Sequence, residues 1–296
     1  MPSAIRPRRS ALYVPASNPA AMAKARSIGA DVLILDMEDA VAPEGKASAR
    51  ALVVAALHEG GFGESEVVVR INGLDTQWAA ADIAAIAPAH PDAILVPKIS
   101  RSDDIRRVRA ALRAAGTDSS LAIWAMMETP LAILNAGAIA ASAVEEGAPL
   151  TTLVVGTNDL AAETRTHLDR NRLALLSWLS TCVLAGRAFD LAVLDGVYND
   201  FRDIEGFQAE CEQGRDLGMD GKTLIHPNQL AICNEVFSPS EEEIDWAHAV
   251  IAAFELPENA EKSVLAIEGR MVERLHARDA RRIVAIAQTV NVAEAP

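Results

Sequence analysis

At seven places in this chain a chemically capable residue stands directly after a short apolar run: Asp36-Met-Glu38-Asp39, Arg70-Ile-Asn72, Lys98, Glu128, Gly156-Thr157-Asn158-Asp159, Asp195-Gly196 and His226-Pro227. If those runs are parallel strands, all these groups emerge at one rim. Several carboxylates on one rim raise each other's pKa unless a cation neutralises them. The donors are oxygens, without a Cys or His cluster, so a hard ion such as Mg²⁺ is expected rather than Zn²⁺. Glu128 and Asp159, from neighbouring runs, are the candidate ligands; the competing reading makes both ordinary strand-end caps. The fork of Arg70 suits a substrate carboxylate bidentately. It equally suits a salt bridge to the Asp36–Asp39 cluster, and the two roles are compatible. A lone histidine such as His226 is more often a structural hydrogen-bonder than a catalyst.

The elements that must position these groups follow from periodicity. Strands are expected at 11–15, 31–36, 66–71, 93–97, 121–127, 151–155, 191–194 and 222–225. Val32-Leu-Ile-Leu and Val67-Val-Val are continuous apolar runs, as in strands covered on both faces. Helical patterns lie between them at 19–28, 45–58, 76–86, 102–115, 130–142, 169–189, 203–217 and 228–237. Alternation of this kind predicts an α/β fold, a TIM-type (β/α)8 barrel over residues 1–237, with catalytic groups at the carboxyl ends of the strands. A C-terminal helical extension or lid, 238–296, follows. It opens with a Ser240/Glu243 capping box and continues in a second helix from about 270 to 287 carrying Arg270, Arg274, Arg278, Arg281 and Arg282. That stripe reads either as a solvated or subunit-packing face or as a lid bringing positive charge to an anionic substrate.

The chain has 296 residues, 27 Lys+Arg against 41 Asp+Glu, a net charge of −14 and 50% hydrophobic residues. It is long enough for a large core. Its acidity argues against a general nucleic-acid or membrane binder, without forbidding a small anion in a basic cleft. Cys182, Cys211 and Cys233 form no C-x-x-C, and no signal peptide or long apolar span is evident, so a cytoplasmic setting is expected. P-loop, G-x-G-x-x-G, G-x-S-x-G and H-E-x-x-H motifs are absent, which removes the usual apparatus of NTP hydrolysis, dinucleotide redox chemistry and serine hydrolysis.

Seven segments, in order, resemble the citrate lyase beta-subunit-like branch of the HpcH/HpaI aldolase superfamily. They are Arg9-Ser-Ala-Leu-Tyr-Val-Pro, Gly29-Ala-Asp-Val-Leu-Ile-Leu-Asp-Met-Glu-Asp-Ala-Val-Ala-Pro, Val69-Arg-Ile-Asn, Val96-Pro-Lys, Met127-Glu-Thr-Pro, Gly156-Thr-Asn-Asp-Leu and Gly221-Lys-Thr-Leu-Ile-His-Pro-Asn-Gln. The resemblance implies a Mg²⁺-dependent carbon–carbon lyase acting on acyl thioesters of CoA or a carrier protein, such as citryl, citramalyl or malyl groups. It makes Glu128 and Asp159 metal ligands and Arg70 the clamp on the 2-oxo acid. It sets Asp36, Glu38 and Asp39 beside the metal and turns the backbone of Gly156, Thr157 and Asn158 toward the oxo acid. A homotrimer or homohexamer is implied as well. Two departures stand out: Glu273, in Met271-Val-Glu273, replaces the Asp that serves many relatives as acid/base from a neighbouring subunit, and Asn158 replaces a common Glu. Arg6, Arg8, Arg9, Lys24 and Arg26 are candidates for a CoA landing zone, ordinary surface charge being the alternative. The runner-up readings are a pyruvate-enolate aldolase of the same superfamily, disfavoured because Asp39 fills its usual His position, and a non-catalytic carrier-associated subunit.

Overall fold

A computed structural model describes residues 6–117 and 121–293, without the side chains of the last three. Eight parallel strands close into a barrel in chain order: β1 (Ser10–Pro15), β2 (Val32–Asp36), β3 (Glu66–Arg70), β4 (Ala93–Val96), β5 (Ala122–Met127), β6 (Leu150–Val155), β7 (Ala192–Asp195) and β8 (Gly221–Leu224). The chain is a TIM-type (β/α)8 barrel with C-terminal helices. All five residues of β2 and all five of β3 are buried, as continuous apolar runs require when helices cover the outside and side chains fill the inside.

Helices α1 (Pro19–Ala25), α2 (Lys46–Glu59), α3 (Ala79–Ile86), α4 (Ser102–Ala114), α5 (Pro130–Leu134), α6 (Ala136–Ala141), α7 (Thr157–Thr164), α8 (Leu176–Ala188), α9 (Ile204–Asp216) and α10 (Leu230–Val236) connect or follow the strands. Two differ from expectation. The single helix expected at 130–142 breaks at Asn135, which leaves helical geometry (φ −105°, ψ 9°) while its side-chain amide donates to Ser100 O. Helix α7 is absent from the expected helical ranges, although the strand-end cap reading of Asp159 allows a helix start there; it begins at Thr157, inside the polar Gly156–Asp159 segment.

Strand parity decides which residues can reach the site. Ala11, Val32, Ile34, Val68, Ala93, Leu95, Trp124, Met126, Val154 and Leu194 pack together inside the barrel. Counting on by twos puts Tyr13, Asp36, Arg70, Glu128 and Gly156 inward at the carboxyl end. Asp195, next to inward Leu194, therefore points outward.

The other end of the barrel is closed by ion pairs. Arg8 pairs with Glu66 at the start of β3 (2.6 Å) and lies over the Trp124 ring, while Arg9 binds Asp31 just before β2 (2.9 Å). Arg26 pairs with Glu59 at the carboxyl end of α2, and Lys24 lies in the last turn of α1, a helix running back toward the amino ends of the strands. Arg8, Arg9, Lys24 and Arg26 therefore lie at the end of the barrel opposite the rim, which fits the alternative of ordinary structural charge better than a CoA landing zone. Arg6 belongs to the second compact unit, which contains Glu235 onward.

In that unit α11 (Glu241–Glu255) starts on the Ser240/Glu243 capping box and packs on α12 (Arg274–Ala293) around Ala247, Val250, Phe254, Ala277 and Ala280. The segment Arg270–Glu273, expected as the start of a helix, is instead strand β10, antiparallel to β9 (Val264–Ile267). Arg270 lies over Trp246 and Arg274 over Phe254, so two residues of the arginine stripe pack on aromatic rings of their own unit.

Candidate active site

A cavity of ≈ 380 Å³ opens at the carboxyl ends of the strands, and its lining includes Tyr13, Asp36, Asp39, Arg70, Met126, Gly156, Thr157, Asn158, Asp159 and Asn199. The core of the site follows from register. Asp36 and Arg70 are partners across β2 and β3, so their side chains meet directly. Arg70 Nε and Nη2 each donate to an Asp36 carboxylate oxygen at 2.7 Å, a bidentate pair. Asp36 also accepts from the backbone N–H of Glu38 (2.9 Å) and Ala40 (3.2 Å), which folds the Glu38–Asp39 turn around it. Arg70 Nη1 reaches Glu38 at 3.0 Å and Asp39 at 3.4 Å, and the guanidinium lies 4.8 Å from the Tyr13 ring centroid. The fork of Arg70 is thus spent on Asp36, leaving one N–H of Nη2 without a protein acceptor at that carboxylate.

Glu128 sits at the end of β5, nearly fully buried, and accepts the backbone N–H of Lys98 (2.7 Å). Gly156 is what makes room for it. A Cβ at position 156 would lie 2.4 Å from Glu128 Cβ and 2.7 Å from its Oε2, so only glycine allows β6 to end this close to the carboxyl. Burial first, and then the charge of Asp159, push the Glu128 carboxyl up to about 7, against the opposing pull of the Lys98 N–H and Arg70. Burial likewise pushes Glu38 up to about 8 despite Arg70. Two carboxyls reluctant to ionise, one of them repelled by Asp159, form a seat that a divalent cation would relieve. Among the described residues no group of three or more His, Cys, Asp or Glu forms a ready-made cage. The donor set therefore fits an ion that keeps waters and takes the rest of its shell from substrate, the habit of Mg²⁺.

The structure brings Asp36, Glu38, Asp39, Arg70, Glu128, Gly156, Thr157, Asn158 and Asp159 to one rim. Glu273 lies in the second unit, half-buried at the end of β10, where its N–H donates to His276 Nδ1 (2.8 Å). Asp195 leaves the rim set: fully buried, it accepts Arg172 Nη1 on both oxygens at 2.8 Å and Lys222 Nζ at 2.9 Å, and Lys222 also reaches Glu210 on α9 at 2.6 Å. These cations hold the Asp195 carboxyl below its ordinary range although burial acts the other way. His226 Nδ1 accepts the Asn228 N–H and its ring stacks on Phe201 at 4.6 Å, a structural use of the side chain. Sequence reasoning missed Tyr13, Met126 and Asn199. Parity along β1 and β5 could have found the first two; Asn199 lies in a loop, where no period applies.

A sequence model of the HpcH/HpaI aldolase/citrate lyase family matches residues 9–227. The chain belongs to this family. It is 48% identical over 284 residues, 96% of each chain, to the (3S)-malyl-CoA thioesterase of Cereibacter sphaeroides (strain KD131 / KCTC 12085). It is 34% identical to citrate lyase subunit beta of Leuconostoc mesenteroides subsp. cremoris, over 95% of this chain and 93% of that one. Among solved structures, CitE from Mycobacterium tuberculosis in complex with magnesium, acetoacetate and coenzyme A superposes with a TM-score of 0.75 at 28% identity, covering 96% of this chain and 100% of that one. The protein is thus an enzyme of a carbon–carbon lyase family, and the relatives it resembles include a malyl-CoA thioesterase and citramalyl-CoA lyases. No helix among its described residues is long and apolar enough to cross a membrane.

Proposed function

We propose that the protein binds the hydroxy-acid end of a malyl-type 3-hydroxyacyl-CoA thioester at the barrel rim, with Mg²⁺ held by Glu128 and Asp159, and hydrolyses the thioester. The observation that carries the substrate class is the juxtaposition at one rim of a carboxyl pair suited to a hard cation, Asp159 on the cavity wall and Glu128 buried against Gly156, and a buried guanidinium. The choice of hydrolysis is supported by full-length similarity to a malyl-CoA thioesterase.

When bound, Mg²⁺ supplies Lewis acidity at the hydroxyl and carboxylate oxygens of the substrate. The chain does the rest. Arg70 offers its charge and its remaining Nη2 N–H to the substrate carboxylate, while Asp36 fixes the guanidinium plane. Helix α7 has no side-chain cap at Gly156, so the first N–H groups of its amino end, at Thr157 and Asn158, are free for the hydroxy acid. Glu38, with a carboxyl near 8, exchanges a proton close to neutral pH. Glu273 is the second acid/base, in a homotrimer or homohexamer. In hydrolysis the oxygen of water bonds to the thioester carbon, the carbon–sulfur bond breaks, and the water proton ends on the CoA sulfur. The three cysteines are free and buried, which supports a reducing, cytoplasmic setting.

Carbon–carbon cleavage is the second reading, favoured by the retention of Arg70, Glu128 and Asp159 together on the rim. There the hydroxyl loses its proton to a base, the bond to the acyl α-carbon breaks, and the thioester enolate takes a proton at carbon. Incubation with malyl-CoA, with Mg²⁺ or with EDTA, separates the two. Free CoA and malate without glyoxylate are expected. Glyoxylate and acetyl-CoA in equal amounts establish the second reading. No turnover of malyl-, citramalyl- or citryl-CoA would sink the substrate class.

A further inference from the structure

Both reactions place negative charge on the thioester oxygen, and the groups described above are committed to the other end of the substrate. Arg70 is taken by Asp36, Glu38 and Asp39. Asp36, Asp39 and Asp159 accept and repel. Thr223 donates its hydroxyl to Asp195 O. Besides the hydroxyls of Tyr13 and Thr157, the cavity wall offers two neutral amides, Asn158 and Asn199, bonded reciprocally: Asn158 Nδ2 donates to Asn199 Oδ1 (3.1 Å) and Asn199 Nδ2 to Asn158 Oδ1 (2.8 Å). A carboxamide carries two N–H donors. Reciprocal pairing spends one on each side, which leaves each amide one N–H at an exposed edge of the cavity.

Both partners are held from behind. Asn158 is the second residue of α7, beside Asp159, and a Cβ at Gly196 would fall 2.6 Å from Thr157 Oγ1, so β7 ends tightly against that turn. The loop carrying Asn199 is tied down by Gln229 Nε2 to Tyr198 O (3.1 Å), Asn228 Nδ2 to Phe201 O (2.8 Å), Tyr198 Oη to Asp203 (2.8 Å) and the Phe201–His226 stack. Donors fixed in this way stabilise a developing charge without reorganising.

We infer that the Asn158–Asn199 pair is an oxyanion clamp: its two unspent side-chain N–H groups bind the thioester carbonyl oxygen of the acyl-CoA and stabilise it as an oxyanion or enolate. This rests on the proposed thioester chemistry and holds for either outcome of it. The Glu that many relatives carry at this position has no N–H to donate, so the clamp belongs to this chain's Asn158 and not to the family pattern.

The test measures malyl-CoA turnover and, separately, binding of glyoxylate with Mg²⁺ by calorimetry for wild type, Asn158→Ala, Asn199→Ala and Asn158→Glu. Loss of one oxyanion donor typically costs about 10²–10³ in kcat. Each Ala variant is expected to lose kcat on that scale with KM and glyoxylate affinity within about threefold of wild type, and Asn158→Glu to lose at least as much. Wild-type kcat in both Ala variants overturns the clamp. Loss of glyoxylate affinity in parallel with kcat also overturns it, because the pair would then only be shaping the rim. A wild-type enzyme that turns over no thioester while still binding glyoxylate refutes the thioester reading itself, and the clamp with it.

Discussion

Replacing Gly156 by Ala probes the most tightly dimensioned contact of the site. The new methyl carbon would fall 2.4 Å from Glu128 Cβ and 2.7 Å from Oε2, whereas carbon atoms rest about 3.5–4.0 Å apart. The ends of β5 and β6 must therefore part by about 1 Å or more. Shortening Glu128 to Asp offers no escape, because the conflict is at Cβ. Overpacking of this kind costs about 1–3 kcal/mol, and about 1 Å of misplacement at a reacting centre costs roughly 100-fold in rate. CoA release from malyl-CoA, followed with a thiol reagent across a Mg²⁺ titration, should show kcat down about 100-fold and a higher Mg²⁺ concentration for half-maximal rate, with the protein still folded. Gly137, on α6, has nothing within 4 Å of a built Cβ. Gly137→Ala should leave activity unchanged and add a few tenths to about 1 kcal/mol of stability. Wild-type rate and Mg²⁺ dependence in Gly156→Ala would refute the argument that this glycine sets the position of the Glu128 carboxyl.

Glu38 and Glu128 are raised in the folded state to about 8 and about 7 from an ordinary 4.5, so the folded protein binds more protons than the unfolded chain between those values. Stability should therefore fall as pH rises from about 4.5 to 8. Urea unfolding should show Glu38→Gln flattening that decline and added Mg²⁺ stabilising more at pH 8 than at pH 5. Arg70→Lys cannot reproduce the fork on Asp36; losing a charged hydrogen bond of about 1.5–3 kcal/mol should lower kcat/KM about 10- to 100-fold in the same assay. Lys222→Met strips Asp195 and Glu210 of a buried partner, and urea unfolding should report a loss of about 3–5 kcal/mol. Glu273→Ala should reduce kcat by about 10²–10⁴ if that residue exchanges a proton with substrate, and an undiminished rate would dismiss it.

The barrel was legible because its strands are buried on both faces. Val32-Leu-Ile-Leu and Val67-Val-Val have no polar period to confuse with a helix, and the polar residues after them mark the rim. Legibility ended where side-chain direction depends on parity or on a neighbour. Asp195 ends β7 much as Glu128 follows β5, yet alternation turns it outward to Lys222 and Arg172. Arg8 and Arg9 precede β1, at the amino end of the strands and so away from the chemistry, which strand direction alone could have shown. The Arg270–Glu273 segment fits a helical arginine stripe, but pairing with Val264–Ile267 makes it a strand, a tertiary choice no local period reports. Arg70 was read with two compatible roles; the geometry gives its fork to Asp36 and leaves substrate a single N–H.

The most direct measurement of the account is a crystal structure with Mn²⁺ in place of Mg²⁺ and glyoxylate, located by anomalous scattering. A single peak within about 2.2 Å of carboxylate oxygens of both Glu128 and Asp159, with glyoxylate completing the shell beside Arg70, is the predicted result. A metal bound without either carboxylate, or glyoxylate ordered away from the barrel rim, would contradict it.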